Sequence, residues 1–341
     1  MKKLSFLPLL LFSLHLSAQP ERLGTIEVYG SAEVAVTDII KATGFKEGDP
    51  IIRKNYDKAA IERRIKTIPG IVSADVTLIC CDGKQGRSIL YIGVSDASTA
   101  AETYHDVPKQ DYQLDPYILS TYDRYLAVLR DAVRAGQAME NDDQGHVLLT
   151  YPPALPLQDS LLLYASSHLS LLKQVLRGAA DAQQRQAATW IIAFATDKRS
   201  VVQDLLYATD DADETVRNNA TRALGVMARY AGLHPSSGIE IPAGQFIRKL
   251  YSLIWTDRNK SLMVLEALTG KRDDRVLQLI KANALTPIIQ MARWRNPGHA
   301  MFPLTILGRI AGISDEDIFA AYSAEDRSML IDEWVRKISN R

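Results

Sequence analysis

The residue types that could carry out chemistry are few and scattered. Six histidines stand at positions 15, 105, 146, 168, 234 and 299, and none is paired with another histidine or a cysteine at metal-ligand spacing. The chain has no Gly-x-Ser-x-Gly, no phosphate-binding glycine loop and no His-Glu-x-x-His. Adjacent acids such as Asp142-Asp143 fall in predicted turns, where Asp is common. We therefore predict a non-enzyme with no catalytic residue, metal or cofactor.

The two cysteines, Cys80 and Cys81, are adjacent. On a strand, neighbouring side chains point to opposite faces, and a disulfide between them needs a strained geometry. Two thiols cannot form a closed zinc site. One interpretation is a buried and an exposed strand residue; the other is a vicinal disulfide or a redox role.

One concentration of basic and aromatic residues could bind a partner. It comprises Lys271, Arg272, Arg275, Arg293, Trp294 and Arg295, with Lys281 between them. One interpretation is a binding patch for an acidic partner; the other is a solvated helix end with Trp294 packed inward. Across the whole chain 40 basic residues balance 40 acidic ones, so charge gives no reason to expect nucleic acid as a partner.

The first residues have the pattern of an export signal. Lys2 and Lys3 precede an apolar run over 4–16, which ends at Ser17-Ala18-Gln19. The run is shorter than the roughly 18–20 residues that a spanning helix needs. We predict a secretion signal over 1–18, a mature chain without a transmembrane segment, and a bacterial periplasmic location.

Residues 19–96 are predicted to form a small α/β domain with the order β-α-α-β-β. Ile26 and Val28 alternate on the first strand, and Gly44 ends the first helix. The second helix runs over 56–67 and is closed by Pro69-Gly70. Strands over 71–80 and 87–95 follow, joined by a glycine-containing turn.

This segment resembles a POTRA domain. The resemblance rests on Ile26-x-Val28-x-Gly30, Gly44-Phe45-x-x-Gly48-x-Pro50, Ile65-x-x-Ile68-Pro69-Gly70-Ile71-Val72-x-Ala74-x-Val76 and Ile89-x-Tyr91-Ile92-x-Val94. It implies binding of peptides or proteins, often by addition of a strand to an open sheet edge. Such domains accompany a spanning helix or a membrane barrel, neither of which is predicted here, so the barrel-assembly role is not transferred.

A linker over 97–114 and a connecting region over 115–160 are predicted next. Asp115-Pro116 fits a helix N-cap followed by proline. From 161 to 341 the chain repeats: Asp181-x3-Arg185-x2-Ala188-x3-Ile192 recurs 32 residues later as Asp213-x3-Arg217-x2-Ala220-x3-Leu224. Weaker copies begin at Asp257, with Ser261 in place of the arginine, and at Asn296.

These repeats resemble HEAT repeats of the phycobilisome-lyase type. The resemblance implies an α-solenoid of helical hairpins, and the predicted fold class is α+β, mostly α. The repeated Asp and Arg are interpreted as caps and ion pairs that stabilise the stack, or alternatively as ligand contacts.

The sequence predicts a non-catalytic adaptor or scaffold of the cell envelope. It would bind a protein or peptide through the sheet edge and the concave face of the repeats. Two alternatives stay open: a bilin-lyase-like or other ligand-modifying enzyme, suggested by the repeat subtype alone, and a purely structural spacer between envelope layers.

Overall fold

The computed structural model describes residues 21–30, 33–52, 56–80, 87–97, 103–324 and 326–340. The predicted signal over 1–18 and Cys81 lie outside these residues, as does the side chain of Cys80. A small mixed sheet is followed by many helices, so the fold is α+β and mostly α, as predicted. Among the described residues, no helix is both long and apolar enough to cross a membrane.

The N-terminal unit has the predicted element order. It consists of β1 (Arg22–Tyr29), α1 (Val36–Thr43), α2 (Lys58–Ile65), β2 (Ser73–Cys80) and β3 (Arg87–Ser95). The strand order is β1-β3-β2, with β1 parallel and β2 antiparallel to the central β3. Both helices lie on one face of the sheet and pack on Ile26, Leu90, Ile92 and Val94.

The second face of the sheet is also apolar. Alternation along β3 places Ile89 and Tyr91 opposite Leu90 and Ile92. Ile89, Tyr91 and Tyr29 of β1 belong to the core of the helical region. A sheet with both faces buried explains why β3 is buried almost from end to end.

The described part of the predicted linker, 103–114, is an extended strap packed on the helices. The N–H of Gln110 donates to the carbonyl of Gly178 at 3.0 Å, and Gln110 accepts from the N–H of Ala180 at 2.8 Å. The Tyr104 hydroxyl donates to Asp257 at 3.1 Å. These bonds anchor the strap to the helical region at two places, 178–180 and Asp257.

The connecting region begins with α3 (Pro116–Arg134), whose first turn is capped by the Asp115 side chain as predicted. A short hairpin of β4 (Glu140–Asn141) and β5 (Leu148–Leu149) follows, then a single 3₁₀ turn.

The remaining helices form two layers. They are α4 (Leu155–Ser167), α5 (Leu169–Gly178), α6 (Ala182–Ile192), α7 (Arg199–Ala208), α8 (Glu214–Leu233), α9 (Ala243–Lys249), α10 (Trp255–Leu268), α11 (Asp274–Ala292), α12 (Pro297–Ile310), α13 (Asp315–Tyr322) and α14 (Ser328–Ser339). Consecutive helices from α5 to α12 pair as hairpins, and the second helices of the hairpins, α6, α8, α10 and α12, stack on one another. We call these four the inner helices.

A kink in α11 has an identifiable cause. Pro287 lies inside the helix and Ala284 leaves helical geometry, with φ of −148°. Proline has no N–H for the carbonyl four residues earlier, which belongs to Asn283. The Tyr251 hydroxyl donates to that carbonyl at 2.9 Å and so replaces the missing bond.

Candidate functional site

The repeated arginines are buried connections between helical units. Arg185 donates to the carbonyl of Ala179 in its own unit and to both carboxylate oxygens of Asp211 in the next, at 2.8 and 2.9 Å. Arg217 donates to the carbonyl of Asp211 and, at 3.0 Å, to Asp257. Both arginines are nearly inaccessible to solvent.

The predicted alignment of the third helical repeat, which the sequence analysis begins at Asp257, is wrong. α10 has Ile254 at its N-cap, and Asp257 does not cap it. The carboxylate of Asp257 instead accepts from Arg217 of the preceding unit. Arg258, four residues after the N-cap, occupies the place that the sequence assigned to Ser261, and its Nε donates to the carbonyl of Ser252.

A longer connection explains the error. Arg217 follows Arg185 by 32 residues, whereas Arg258 follows Arg217 by 41. Ser252 stands where Asp211 stands in the preceding unit, and its hydroxyl both contacts Asp257 at 3.3 Å and accepts from the N–H of Ile254. Serine is too short to reach Arg217, so Asp257 supplies the carboxylate.

The chain covers much of the inner helices with its own residues. Tyr122 and Tyr125 of α3 pack their rings against Trp190 of α6. From the β4–β5 hairpin, Glu140 pairs with Arg222 and Asp142 pairs with Arg229 of α8, at 2.5 and 2.7 Å. The inner face of the first units is therefore largely occupied by α3 and the hairpin.

The sheet covers the later units. Tyr91 stacks on Trp255 with ring centroids 5.0 Å apart, and its hydroxyl lies 2.6 Å from His299 Nδ1. Gly93 of β3 lies so close to α10 that an added Cβ would be 2.2 Å from the carbonyl oxygen of Leu253. The Tyr29 hydroxyl donates to the same carbonyl at 2.8 Å.

The predicted basic patch is divided among separate contacts. Trp294 is 1% exposed and packs against Tyr29 and Tyr91, in the inward orientation. Arg295 reaches the sheet, donating to the carbonyl of Ile26 at 3.0 Å and to Glu47 at 2.5 Å.

The other basic residues of the patch lie apart from the sheet. Arg293 pairs with Asp332 and Arg272 with Asp315, at 2.5 and 2.8 Å. Lys271 and Arg275 are exposed. The six residues therefore do not form one surface.

Two acids of the N-terminal α/β unit, Glu27 and Glu47, also bind Arg295, and the sequence analysis did not identify them. The N–H of Arg295 donates to Glu27 at 2.8 Å. Burial raises the pKa of Glu27 against the lowering effect of Arg295, whereas the Arg295 guanidinium lowers the pKa of Glu47. Glu27 alternates with Ile26 and Val28 along β1, so its side chain lies on the sheet face that an isolated domain would expose. In the sequence, the contact with Arg295 was visible as an acidic residue on this strand.

The two edges of the sheet differ. β1 is closed: Ile51 donates its N–H to Glu21 and Leu23 donates to Asp49, at 2.6 and 2.9 Å. Among the described residues no strand pairs with the outer edge of β2. On that edge, side chains bind the backbone of Val76. Its N–H donates to Glu62 at 3.1 Å, and its carbonyl accepts from the Tyr56 hydroxyl at 3.4 Å.

Alternation extends this free edge beyond Val76. Along an antiparallel strand, every second residue directs its N–H and C=O to the same side. Ala74 and Leu78 therefore share the outward direction of Val76. An apolar cavity of about 140 Å³ is lined by Phe45, Pro50, Ile51, Ile52 and Tyr56, and the Tyr56 hydroxyl also donates to the carbonyl of Val76. The outer edge of β2 therefore directs the backbone N–H and C=O groups of Ala74 and Leu78 away from β3.

Lys198 and His146, whose pKa values are lowered, form structural contacts. Lys198 donates to the carbonyls of Ala193 and Ala195 and contacts His146 Nδ1 at 2.8 Å, so its ammonium caps the end of α6. Burial lowers the pKa of Lys198 to about 8, and burial and Lys198 lower that of His146 to about 4. Within the described ranges, no three His, Cys, Asp or Glu side chains converge as a metal site.

No protein-family model matches the chain, and no curated protein matches it significantly.

Proposed function

We propose that this protein is a non-catalytic adaptor of the bacterial periplasm, in which a POTRA-like sheet and HEAT-like helical repeats together hold a protein or peptide partner. The observation that carries the proposal is the outer edge of β2, which no described strand covers. Unpaired N–H and C=O groups on such an edge bind an extended peptide by strand addition.

The POTRA-like assignment is supported by the β-α-α-β-β order, by the strand order β1-β3-β2 and by the two helices on one face. The HEAT-like assignment is supported by the paired and stacked helices and by the arginine that recurs in three successive units. The periplasmic location rests on the export signal predicted over 1–18.

The rest of the molecule favours β2 over the other surfaces of the sheet. One sheet face carries α1 and α2, the other lies on the inner helices, and the β1 edge is closed by residues 48–51. Because the helical region fixes the sheet from behind, a partner strand would meet a rigid edge, and less entropy would be lost on binding.

A photo-crosslinking experiment tests the proposal. The crosslinking amino acid replaces Val72, which is 58% exposed and directly precedes β2. Ala74→Pro removes one outward N–H, and proline is tolerated at such edge positions. Ala74→Val is the matched control, since it keeps the N–H and suits a strand.

We expect a discrete adduct with an envelope protein in the parent and the Ala74→Val variant, and its loss in Ala74→Pro. The absence of any discrete adduct, or an equal adduct in Ala74→Pro, would contradict strand addition at β2. Circular dichroism of each variant reports whether the fold is retained.

A further inference from the structure

Two side chains of the N-terminal unit take the places of a missing strand at Val76. The Glu62 carboxylate accepts from the N–H of Val76 at 3.1 Å, and the Tyr56 hydroxyl donates to its carbonyl at 3.4 Å. In a paired strand, a backbone carbonyl takes the first of these positions and a backbone N–H takes the second. A partner strand that pairs with Val76 therefore displaces both side chains.

This displacement leaves the Glu62 carboxylate without its hydrogen bond to the backbone. Its remaining contact is Lys58 Nζ at 3.6 Å, one helical turn earlier on α2. The same ammonium lies 2.5 Å from Asp75, whose side chain is 10% exposed. The second oxygen of Asp75 accepts from the Thr77 hydroxyl at 3.0 Å. Lys58 is therefore held mainly by Asp75 and compensates Glu62 only in part.

At this point the edge of β2 carries one cation for two carboxylates. Among the described residues, Lys58 is the only cation within ion-pair distance of Glu62 or Asp75. The Glu62 side chain is 19% exposed, so water replaces a lost hydrogen bond only partly. A cationic side chain of the partner would balance the second carboxylate.

An added strand brings a side chain to the Glu62 carboxylate. Val76 directs its own side chain into the core beneath α1 and α2. The residue of the added strand directly opposite Val76 directs its side chain to the same face of the sheet, with its Cβ about 5 Å from that of Val76. Glu62 of α2 lies beside this position, because its carboxylate reaches the Val76 N–H. A long basic side chain there can reach Glu62.

We propose that the partner segment carries a lysine or arginine opposite Val76, and that this residue binds the Glu62 carboxylate once the partner's backbone has taken the Val76 N–H. The inference rests on the proposed adaptor function and supplies the partner's chemistry: an extended segment with a basic residue at the centre of its pairing with β2. An acidic residue at that position is disfavoured, because it would face a like charge.

Three fluorescein-labelled peptides test this inference on the full mature chain by fluorescence anisotropy. Each has the sequence Thr-Val-Thr-X-Thr-Val-Thr, whose residues favour an extended strand, and X is lysine, glutamine or glutamate. Glu62→Gln removes the charge and keeps the shape of the side chain. Asp38→Asn, at an exposed position of α1, is the matched control for total charge. Ala74→Pro tests whether binding uses the edge of β2.

We expect the lysine peptide to bind about tenfold more tightly than the glutamine peptide, the effect of one hydrogen bond between charged groups, and the glutamate peptide to bind most weakly. Glu62→Gln should abolish the preference for lysine over glutamine, whereas Asp38→Asn should retain it. Equal affinity of the parent for the three peptides, or a preference for lysine that persists in Glu62→Gln, would overturn the assignment of a basic residue.

These outcomes are separable from a failure of strand addition. If Ala74→Pro loses all three peptides and the parent binds them equally, strand addition stands and the basic residue is wrong. If no peptide binds the parent, or if Ala74→Pro binds them as the parent does, the edge of β2 is not the binding site and both proposals fail.

Discussion

The Tyr91 hydroxyl of β3 and the Nδ1 atom of His299 on α12 lie 2.6 Å apart, although the two residues are separated by 208 positions in the sequence. This contact lies in an aromatic cluster with Trp255 and Trp294, between the sheet and the inner helices. The N-terminal unit is thus joined to the helical region by a buried interface and by the strap. The sheet, including the outer edge of β2, is therefore fixed to the helical region.

The His299 contact predicts a pH dependence of stability. Burial, and secondarily Lys260, lowers the pKa of His299 from 6.5 to about 4. Between these values the unfolded chain binds the extra proton, so stability falls as pH decreases from 6.5 towards 4. In His299→Gln, the loss of unfolding free energy between pH 6.5 and 5 should be smaller by about 1.5 kcal/mol.

Urea denaturation at each pH measures this difference. The exposed His234 provides the control, and His234→Gln should keep the parent slope. His146 contributes to the slope in all variants, so the difference between the variants, rather than the parent curve, is the quantity of interest. An unchanged slope in His299→Gln would contradict a neutral, buried imidazole at this interface.

The close approach of Gly93 to α10 predicts a steric effect. Gly93→Ala places a Cβ 2.2 Å from the carbonyl oxygen of Leu253, so the sheet must shift away from the helices. We expect a loss of about 1–3 kcal/mol in unfolding free energy, as for overpacking, with a change in tryptophan fluorescence from Trp255 and Trp294.

Gly232→Ala is its control. A Cβ at Gly232 in α8 meets no atom within 4 Å, and alanine favours a helix. That substitution should stabilise the protein by up to about 1 kcal/mol. Equal effects of the two substitutions would contradict the tight packing of β3 on α10.

The buried pair of Arg217 and Asp257 predicts a large effect on the helical region. The Arg217 side chain is 3% exposed, and its removal leaves the Asp257 carboxylate buried with fewer partners. Arg217→Ala should lower the unfolding free energy by about 3–5 kcal/mol. Arg275, 93% exposed and paired with Asp273, supplies the control, and Arg275→Ala should change stability by less than about 1 kcal/mol. The midpoints of urea denaturation measure both changes in unfolding free energy when its dependence on urea concentration is the same in each variant. A small effect of Arg217→Ala would show that the pair is dispensable.

The side chains at Val76 predict a local change in hydrogen exchange. Glu62→Ala removes the acceptor of the Val76 N–H, so this amide should exchange about tenfold faster, in keeping with the loss of one hydrogen bond to a charged group. Amides of β3 should keep their protection, since their partners are on β1 and β2. Unchanged exchange at Val76 would indicate that Glu62 does not cover the edge.

Local patterns were sufficient to predict much of the fold. The alternation of Ile26 and Val28, the cap at Asp115 and the repeated Asp-Arg pattern each depend on neighbours in sequence, and the structure has them. The third repeat was misaligned because the chain between the second and third repeats is longer. In addition, Asp257 does not cap its own helix but accepts from Arg217 of the preceding repeat. Contacts between distant segments left a weaker trace: Glu27 for Arg295, and the strap over 103–114.

The candidate site was only partly accessible from sequence. A sheet edge was predicted, but which edge stays uncovered depends on residues 48–51 folding back on β1. The face of the inner helices was expected to be open, and α3, the β4–β5 hairpin and the sheet occupy much of it.

Hydrogen exchange of the outward amides of β2, with and without the crosslinked partner, tests strand addition most directly. The account predicts that Ala74 and Leu78 exchange rapidly in the free protein and become protected by at least about a hundredfold in the complex, with little change at the central strand β3. Protection confined to the helical region, with Ala74 and Leu78 unchanged, would contradict it.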